Sequence, residues 1–391
     1  MSTPRPYDIV LFGATGFTGG LTARYLARHA PHTLRWALAG RNPRRLAEVR
    51  DALAAIDPAW RDLPLLPADA ADPGSLHRLA ASTRTLVSTV GPYVQHGEPV
   101  VAACAEAGTD YLDITGEPEF VDLMYVRHHE RATRTGARLV HACGFDCVPA
   151  DLGVHLTVGE LPADVPVTVD GYLRAWGVPS SGTYRTVLLV LARRRSAAAA
   201  ARARRRAQPV VRSRRVRAGA GRPGRSAELR RWVLPLPSLD PVVVGRSATA
   251  LDRYGPDFRF RHHLVLRLPL LVGAVVGVAG LAVLVRIPPV REWLLRRAAP
   301  GAGPTAEQRA RGWFSFRFVG VGGGRRVVTE VVGGDPGYDE TAKMLAESAL
   351  CLTLDNLPPT AGQVTPAAAM GDALTARLRR AGITFRVLSL S

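Results

Sequence analysis

Apolar side chains fill five of the six positions from Tyr7 to Phe12, then return at helical spacing at Leu21, Tyr25 and Leu26, with Gly13, Gly16 and Gly19 between the two patterns. The change of period predicts a buried strand that runs into a glycine turn opening a helix. The same exchange repeats along the first third of the chain. Strand patterns fall at 34–39, 63–66, 85–90, 110–114 and 137–141. Helical patterns fall between them at 43–56, up to about Ala81, over Glu98–Ala107, and at 121–135, where Gly136 closes the helix. Strands alternating with helices specify βαβ units and a parallel sheet, so residues 1–150 are expected to form a Rossmann-type α/β domain.

From about Ala150 the pattern changes. Residues 165–173 read as a strand with Thr and Asp outward, and 184–195 as a helix that runs on through an Ala/Arg stretch to Arg206. Residues 212–231 are polar and glycine-containing and read as a mobile loop. Residues 313–319 and 325–332 read as paired strands joined by a glycine-rich turn. A second, α+β domain over 151–335 is expected, for substrate and dimerisation, with a basic insertion at 193–231. A helical segment at 336–391 follows, with one helix at Asp339–Leu354 and another opening at Thr365.

Ligands of an open parallel sheet lie outside the carboxyl ends of its strands, which selects particular loops. In Gly13-Ala14-Thr15-Gly16-Phe17-Thr18-Gly19, the first glycine allows a tight turn and the second lets the backbone approach a pyrophosphate. The third lets the helix pack closely on the strand, and the helix start offers N–H groups and a positive dipole end. Dinucleotide binding is the expectation, against a merely structural turn. The second strand ends in Gly40-Arg41-Asn42-Pro43-Arg44-Arg45, and no acid occurs between Asp8 and Glu48. An NAD site places a carboxylate there for the ribose hydroxyl, whereas an NADP site places arginine for the 2′-phosphate. The cofactor is therefore expected to be NADPH/NADP+, with Arg41 and Asn42 beside the phosphate. Arg44 and Arg45 read equally well as solvated residues of the next helix. Asp69, after the third strand, can accept from an adenine amino group, while Asp72 better fits a helix cap. Ser88, Val90, Gly91 and Pro92, after the fourth strand, let the nicotinamide half lie against backbone.

Composition adds a charge question. The formal net charge is +18, but fifteen arginines and one acid between Arg193 and Arg231 supply +14, which leaves +4 for the rest. Lys343 is the sole lysine. With no aromatic residue in this run before Trp232, nucleic acid is not an expected partner. The basic run suits an anionic membrane surface, an acidic carrier domain, or nothing specific. Four cysteines without regular spacing indicate a reducing compartment, and the N-terminus carries no secretion pattern. Cys143 and Cys147, without histidines nearby, do not make a zinc site, and no metal is expected.

Residues 268–285 are eighteen positions without a polar side chain, between Arg267 and Arg286. As a helix they would reach ~27 Å, just under a hydrocarbon core of ~30 Å. Gly273 and Gly277 give a small-residue spacing suited to close helix contact. A single crossing would separate the C-terminal segment from the cofactor domain. In-plane or re-entrant membrane contact, or burial in the protein or a homodimer, avoids that. The cytoplasmic face of the plasma membrane is expected, with the cytoplasm as the alternative.

Further segments join the glycine turn: Ala39-Gly40-Arg41, Val90-Gly91-Pro92-Tyr93, Thr115-Gly116-Glu117, Ala142-Cys143-Gly144-Phe145-Asp146, Gly334-Asp335-Pro336-Gly337-Tyr338 and Thr365-Pro366-Ala367-Ala368-Ala369-Met370-Gly371. Together they make a chain that resembles the saccharopine dehydrogenase-like oxidoreductases, and within them the trans-acting enoyl reductases. The likeness spans most of the sequence and is weakest over 193–231. It implies a two-domain NADPH enzyme whose C-terminal segment returns to the nucleotide domain. It also implies membrane association and reduction of an acyl or polyketide enoyl thioester, carried on a partner synthase, in lipid or glycolipid assembly. In that chemistry Tyr93 can donate a proton, bond the thioester oxygen or pack over the cofactor. Asp146 can hold the carbonyl, order a water or cap a helix, and His141 reads as a satisfied core histidine. The rival readings are saccharopine-type amino-acid chemistry, with Arg174 and Arg185 binding carboxylates, and a membrane-bound NADP-holding adaptor without turnover.

Overall fold

The computed structural model describes residues 5–178, 192–209, 214–226, 228–236, 238–266 and 303–391, with a few single positions between them. Two sheets organise the molecule. The first has seven parallel strands in the order β14-β6-β5-β4-β1-β2-β3. These are β1 (Tyr7–Phe12), β2 (Trp36–Gly40), β3 (Leu65–Pro67), β4 (Thr83–Ser88), β5 (Asp110–Asp113), β6 (Arg138–Val140) and β14 (Gly362–Val364). Strand alternation splits the apolar residues between two cores. Ile9, Leu11, Trp36 and Leu38 face one way, and Val10, Phe12, Ala37 and Ala39 the other. The first core is covered by α1 (Phe17–His29), α2 (Pro43–Ala54) and α11 (Asp339–Leu354). The second is covered by α3 (Pro73–Ala81), α5 (Glu98–Ala107) and α6 (Pro118–Thr135). The α/β fold with a parallel Rossmann-like sheet and a second sheet domain stands as expected.

The second sheet runs β15-β13-β12-β7-β11-β10-β9, with β8 alongside β11. Its strands are β7 (Val167–Trp176), β8 (Arg215–Ala220), β9 (Gly224–Ser226), β10 (Arg231–Pro235), β11 (Asp257–Leu266), β12 (Trp313–Gly322), β13 (Arg325–Gly333) and β15 (Thr384–Leu390). One face carries α7 (Val148–Gly159) and α9 (Asp240–Ala250). A continuous apolar cluster joins Ile9 of the first sheet to Phe314, Phe318 and Phe385 of the second. Contact between α7 and the sheet is close: a Cβ at Gly153 would lie 2.2 Å from the buried Phe318 ring. Gly153→Ala is therefore expected to overpack this junction and lower stability by about 1–3 kcal/mol. A urea titration followed by circular dichroism measures it, and an unchanged midpoint contradicts the account.

The structure corrects the reading of 212–231 as a mobile loop. Within the described residues this stretch holds β8 and β9 and the start of β10. Outward arginines hid the strands, because neither face shows the apolar contrast that marks a strand. Upstream, α8 (Arg194–Ala207) lies against α6. Arg193 meets Glu119 at 2.7 Å and Arg204 meets the buried Asp122 at 2.5 Å. Arg214 pairs with Asp252, and Arg217 with Asp257 at 2.8 Å. Part of the basic run is thus neutralised within the protein. The C-terminal helix pattern also gave way at the end, where 384–390 is a strand paired antiparallel to β13. Residues 268–285 and Arg185 lie outside the described residues or at scattered positions within that stretch. Among the described residues no helix is long and apolar enough to cross a membrane.

Candidate functional site

Strand β1 hands over to α1 through a turn that leaves no room for a side chain at Gly13 or Gly19. Gly13 has φ +91°, and a Cβ there would lie 2.7 Å from Thr89 Oγ1. At Gly19 a Cβ would lie 2.2 Å from the Gly13 carbonyl oxygen and 2.7 Å from Thr89 Oγ1. Thr89 was not singled out from the sequence. Its hydroxyl donates toward the Phe12 and Gly13 carbonyls at 3.2 and 3.1 Å, which ties the end of β4 to the turn. Gly16 precedes α1, no side chain caps that helix, and its first turn holds no acid. Its first N–H groups are therefore open to an anionic ligand. Arg41, at the end of β2, is exposed and has no ion-pair partner among the described residues. A tight glycine turn, an uncapped helix start and a guanidinium without an ion-pair partner among the described residues fit a dinucleotide carrying a 2′-phosphate.

The neighbouring loops divide between scaffold and open groups. The Asn42 side chain accepts from Arg45 N at 3.1 Å, so it caps α2. Asp72 caps α3, accepting from Gly74 N at 2.9 Å. Asp69 Oδ1 accepts from Ala71 N at 3.0 Å at the end of β3, and its other oxygen makes no hydrogen bond among the described residues. Ser88 is fully buried, and Val90-Gly91-Pro92 follows it into α4 (Tyr93–His96) through a cis Gly91–Pro92 bond.

Tyr93, offered above as a proton donor, a partner of the thioester oxygen or a ring over the cofactor, turns its hydroxyl into the protein. Its hydroxyl is buried, donates to the Ser88 carbonyl at 3.0 Å and accepts from Ile114 N at 3.4 Å. Phe120 covers the ring at 5.7 Å. The hydroxyl is committed to backbone and the ring to Phe120, which gives Tyr93 a structural place in this loop. Glu117, quoted above only as part of a resemblance, holds the same turn: its carboxylate accepts from Tyr93 N at 3.0 Å and Val94 N at 2.8 Å. Burial raises that carboxyl above its ordinary range, while the two amide bonds oppose the shift.

Asp113, at the end of β5, locks the loop after β6. Its Oδ2 takes His141 Nδ1 at 2.7 Å, and its Oδ1 accepts from Ala142 N at 2.9 Å and Thr115 N at 3.1 Å. His141 is thus half satisfied, because its buried Nε2 has no partner. The following residues are unusual. Ala142 and Cys147 sit at φ +60° and +89°, where non-glycine residues cost about 1–3 kcal/mol and persist only if their surroundings hold them. Phe145 N donates to Thr341 Oγ1 of α11 at 3.1 Å, and the Phe145 ring meets Phe314 of β12 at 4.9 Å.

Asp146 stands on this loop between the two sheets' domains. Cys147, not Asp146, precedes α7, and no side chain caps the helix, so the capping role is not realised. Asp146 makes no side-chain hydrogen bond among the described residues and remains open to solvent. The surrounding protein mass nevertheless pushes its carboxyl up to about 7, with the like charge of Asp240 adding to the effect. Cys143 and Cys147 are buried free thiols held well above their ordinary value by burial first. Among the described residues no group of three or more His, Cys, Asp or Glu could hold a metal.

Residues from later in the chain lie against the start of α1. Phe17 meets Tyr338 edge-on at 4.8 Å, and the Arg309 guanidinium lies 5.7 Å from the centre of the Phe17 ring. Arg174, considered for amino-acid binding, instead lies over Trp313 at 5.6 Å, at the exposed end of β7.

Comparison with known proteins agrees with this geometry. The saccharopine dehydrogenase NADP binding domain matches residues 9–140. A trans-acting enoyl reductase of Mycobacterium tuberculosis strain H37Rv is 37% identical, over 99% of each chain. One of Mycobacterium ulcerans is 35% identical, over 98% of each. A further M. tuberculosis protein, named provisionally for the same activity, is 40% identical over 100% of this chain and 99% of its own. Among solved structures, apo saccharopine dehydrogenase (L-Glu forming) from Saccharomyces cerevisiae shares the fold, with a TM-score of 0.56 at 12% identity over 98% of this chain and 100% of that one. The chain is an NADP-dependent oxidoreductase that belongs to the trans-acting enoyl reductase family, within the saccharopine dehydrogenase-like enzymes.

Proposed function

We propose that the protein reduces the α,β double bond of an enoyl thioester carried by a separate polyketide-type synthase, in lipid or glycolipid assembly. Names carried by full-length relatives support the reaction class. The observation that carries the proposal is the placing of Asp146, a carboxyl with no side-chain hydrogen bond among the described residues, on the positive-φ loop that follows β6. When bound, NADPH supplies a hydride for the β-carbon. The thioester oxygen then gathers negative charge, and the α-carbon needs a proton. In this reading Asp146 gives that proton and is recharged from solvent at its open edge, while Gly13, Gly16, Gly19 and Arg41 hold the dinucleotide. Ala14, Thr15, Phe17, Thr18, Asp69, Ser88, Val90, Gly91 and Pro92 line its path. Tyr93, Glu117 and Asp113 keep the two flanking loops in place.

The pH dependence follows. A carboxyl raised to about 7 keeps its proton below that pH and loses it above. The value of kcat/KM is expected to fall as pH rises through about 7, and Asp146→Asn to remove that limb while lowering the rate about 100-fold. Stopped-flow rates across pH, with a short trans-2-enoyl thioester of coenzyme A, measure both. The decisive comparison adds NADPH with that thioester or with amino-acid and 2-oxo-acid pairs, and identifies the product by mass spectrometry. Turnover with the amino-acid pair alone would replace this reading with saccharopine-type chemistry. Binding of NADPH without any turnover would favour an adaptor.

We place the protein at an anionic membrane surface on the cytoplasmic side. Exposed Trp176, Trp232 and Trp313, and the arginines of α8 that have no acidic partner among the described residues, support that reading. Flotation with vesicles rich in phosphatidylglycerol tests it, and failure to bind at low salt contradicts it.

A further inference from the structure

The first turn of α1 carries little support of its own. It consists of Phe17, Thr18, Gly19 and Gly20, and glycine is the poorest helix former after proline. Gly16 stands at the cap position without a side chain, and no acid answers the dipole end. A local hydrophobic staple would need apolar residues at positions 15 and 20, where the chain has Thr15 and Gly20. The bond from Gly20 N to the Gly16 carbonyl, at 2.8 Å, closes the turn. Such an end frays unless something outside the helix holds it. Its bareness has a use, since a capping side chain would occupy the N–H groups that a phosphate needs.

Three later parts of the chain meet the half-buried side chain of Phe17. The Tyr338 ring meets it edge-on at 4.8 Å, and the Arg309 guanidinium lies over it, 5.7 Å from the ring centre. The backbone at Gly303 comes so near that a Cβ there would lie 2.3 Å from the ring. These neighbours are themselves fastened. Tyr338 is buried directly before α11, and its N–H donates to Asp335 Oδ2 at 2.9 Å. Arg309 belongs to the short helix α10 (Ala306–Ala310), which Thr305 and Gln308 close with a reciprocal pair of hydrogen bonds. Its Nε donates to Asp339 Oδ1 at 2.9 Å and its Nη1 to the Pro304 carbonyl at 2.8 Å. The charge of Arg309 is thereby answered within the protein, which sets it apart from Arg41.

We propose that Gly303, Arg309 and Tyr338 form a cage on Phe17 that takes the place of an N-cap, with Arg309 as a positioning residue that holds the first turn of α1 ready for the coenzyme diphosphate. The proposal rests on the coenzyme docking at the glycine turn. Gripping Phe17 by its side chain fixes the backbone of the turn and leaves the N–H groups open, which a capping side chain cannot do. Apparent affinity scales with the fraction of molecules already in the competent shape. A turn that frays therefore binds more weakly even though no contact to the ligand has been removed.

Arg309→Met keeps an unbranched apolar stem beside the ring and removes the cation with its two bonds. In the free protein, hydrogen exchange over residues 13–22, read by mass spectrometry, should become about tenfold faster. The Kd for NADPH should rise by about the same factor, because both follow one opening of the turn. Saturating NADPH should return that exchange to the rate of the wild-type complex. The dependence of affinity on salt should stay that of the wild type, which a direct phosphate ligand would not allow. Gly303→Ala presses on the ring from another side and should act in the same direction. In a Phe17→Ala background Arg309→Met should add nothing, since it acts through that ring. Additive losses, a salt dependence that changes with Arg309, or normal exchange in both single variants would overturn the cage. Faster exchange with an unchanged Kd would place the coenzyme elsewhere, and would overturn the glycine-turn reading together with the proposal.

Discussion

Gly19→Val is expected to abolish measurable NADPH binding at concentrations that saturate the wild type. The valine Cβ would have to occupy a point 2.2 Å from the Gly13 carbonyl oxygen and 2.7 Å from Thr89 Oγ1. Neither neighbour can retreat cheaply. The oxygen belongs to the turn itself and accepts from Gly16 N at 2.9 Å, and Thr89 is tied to that turn by its hydroxyl. The start of α1 must therefore move away from β1, and its N–H groups move away from the phosphates they would cradle. A misplacement of about 1 Å at such a site costs on the order of 100-fold. The Kd for NADPH should rise at least that much, about 2.7 kcal/mol. Fluorescence titration gives the affinity, and circular dichroism shows whether the fold survives. A folded variant that binds normally would remove the glycine turn from the site.

Arg41→Ala should lower NADPH affinity by about 10–100-fold, the range for a lost charge-assisted hydrogen bond of roughly 1.5–3 kcal/mol, and leave NADH affinity unchanged. Arg41 sits at the end of β2 with no described acidic partner, and Asn42 beside it is already spent on capping α2. Wild-type preference for NADPH should weaken as salt rises, because the guanidinium is exposed. Equal losses for both coenzymes would point to a structural role, and no loss would shift attention to Arg44 and Arg45, which are equally exposed.

The parts that could be read from sequence were those whose physics is local. A strand buried on both faces and a glycine turn announce themselves within about ten residues, so β1 to α1 and the run of βαβ units followed from periodicity alone. Strand β14 is only three residues long and gains its place from β6, with Gly362 beside Arg138. Strand β8 is exposed or half-exposed throughout and is held by backbone pairing with β11, a partner some forty residues away that no periodicity marks. The site divides in the same way. Gly13 and Arg41 are legible from their neighbours. The commitment of the Tyr93 hydroxyl to backbone exists only once the ends of β4 and β5 lie side by side. Buried polar groups hide best, because a carboxylate such as Glu117 looks in sequence like any solvated acid.

Both sheets take a terminal strand from late in the sequence: 362–364 lies beside β6 in the first, and 384–390 beside β13 in the second. During synthesis, then, neither sheet reaches its full width until the ribosome has released these residues. Strand β6 waits far longer for its neighbour than β13 does, and a nascent protein with that edge unpaired is in the state where chaperone capture or misassociation with a neighbouring polypeptide has its longest opportunity.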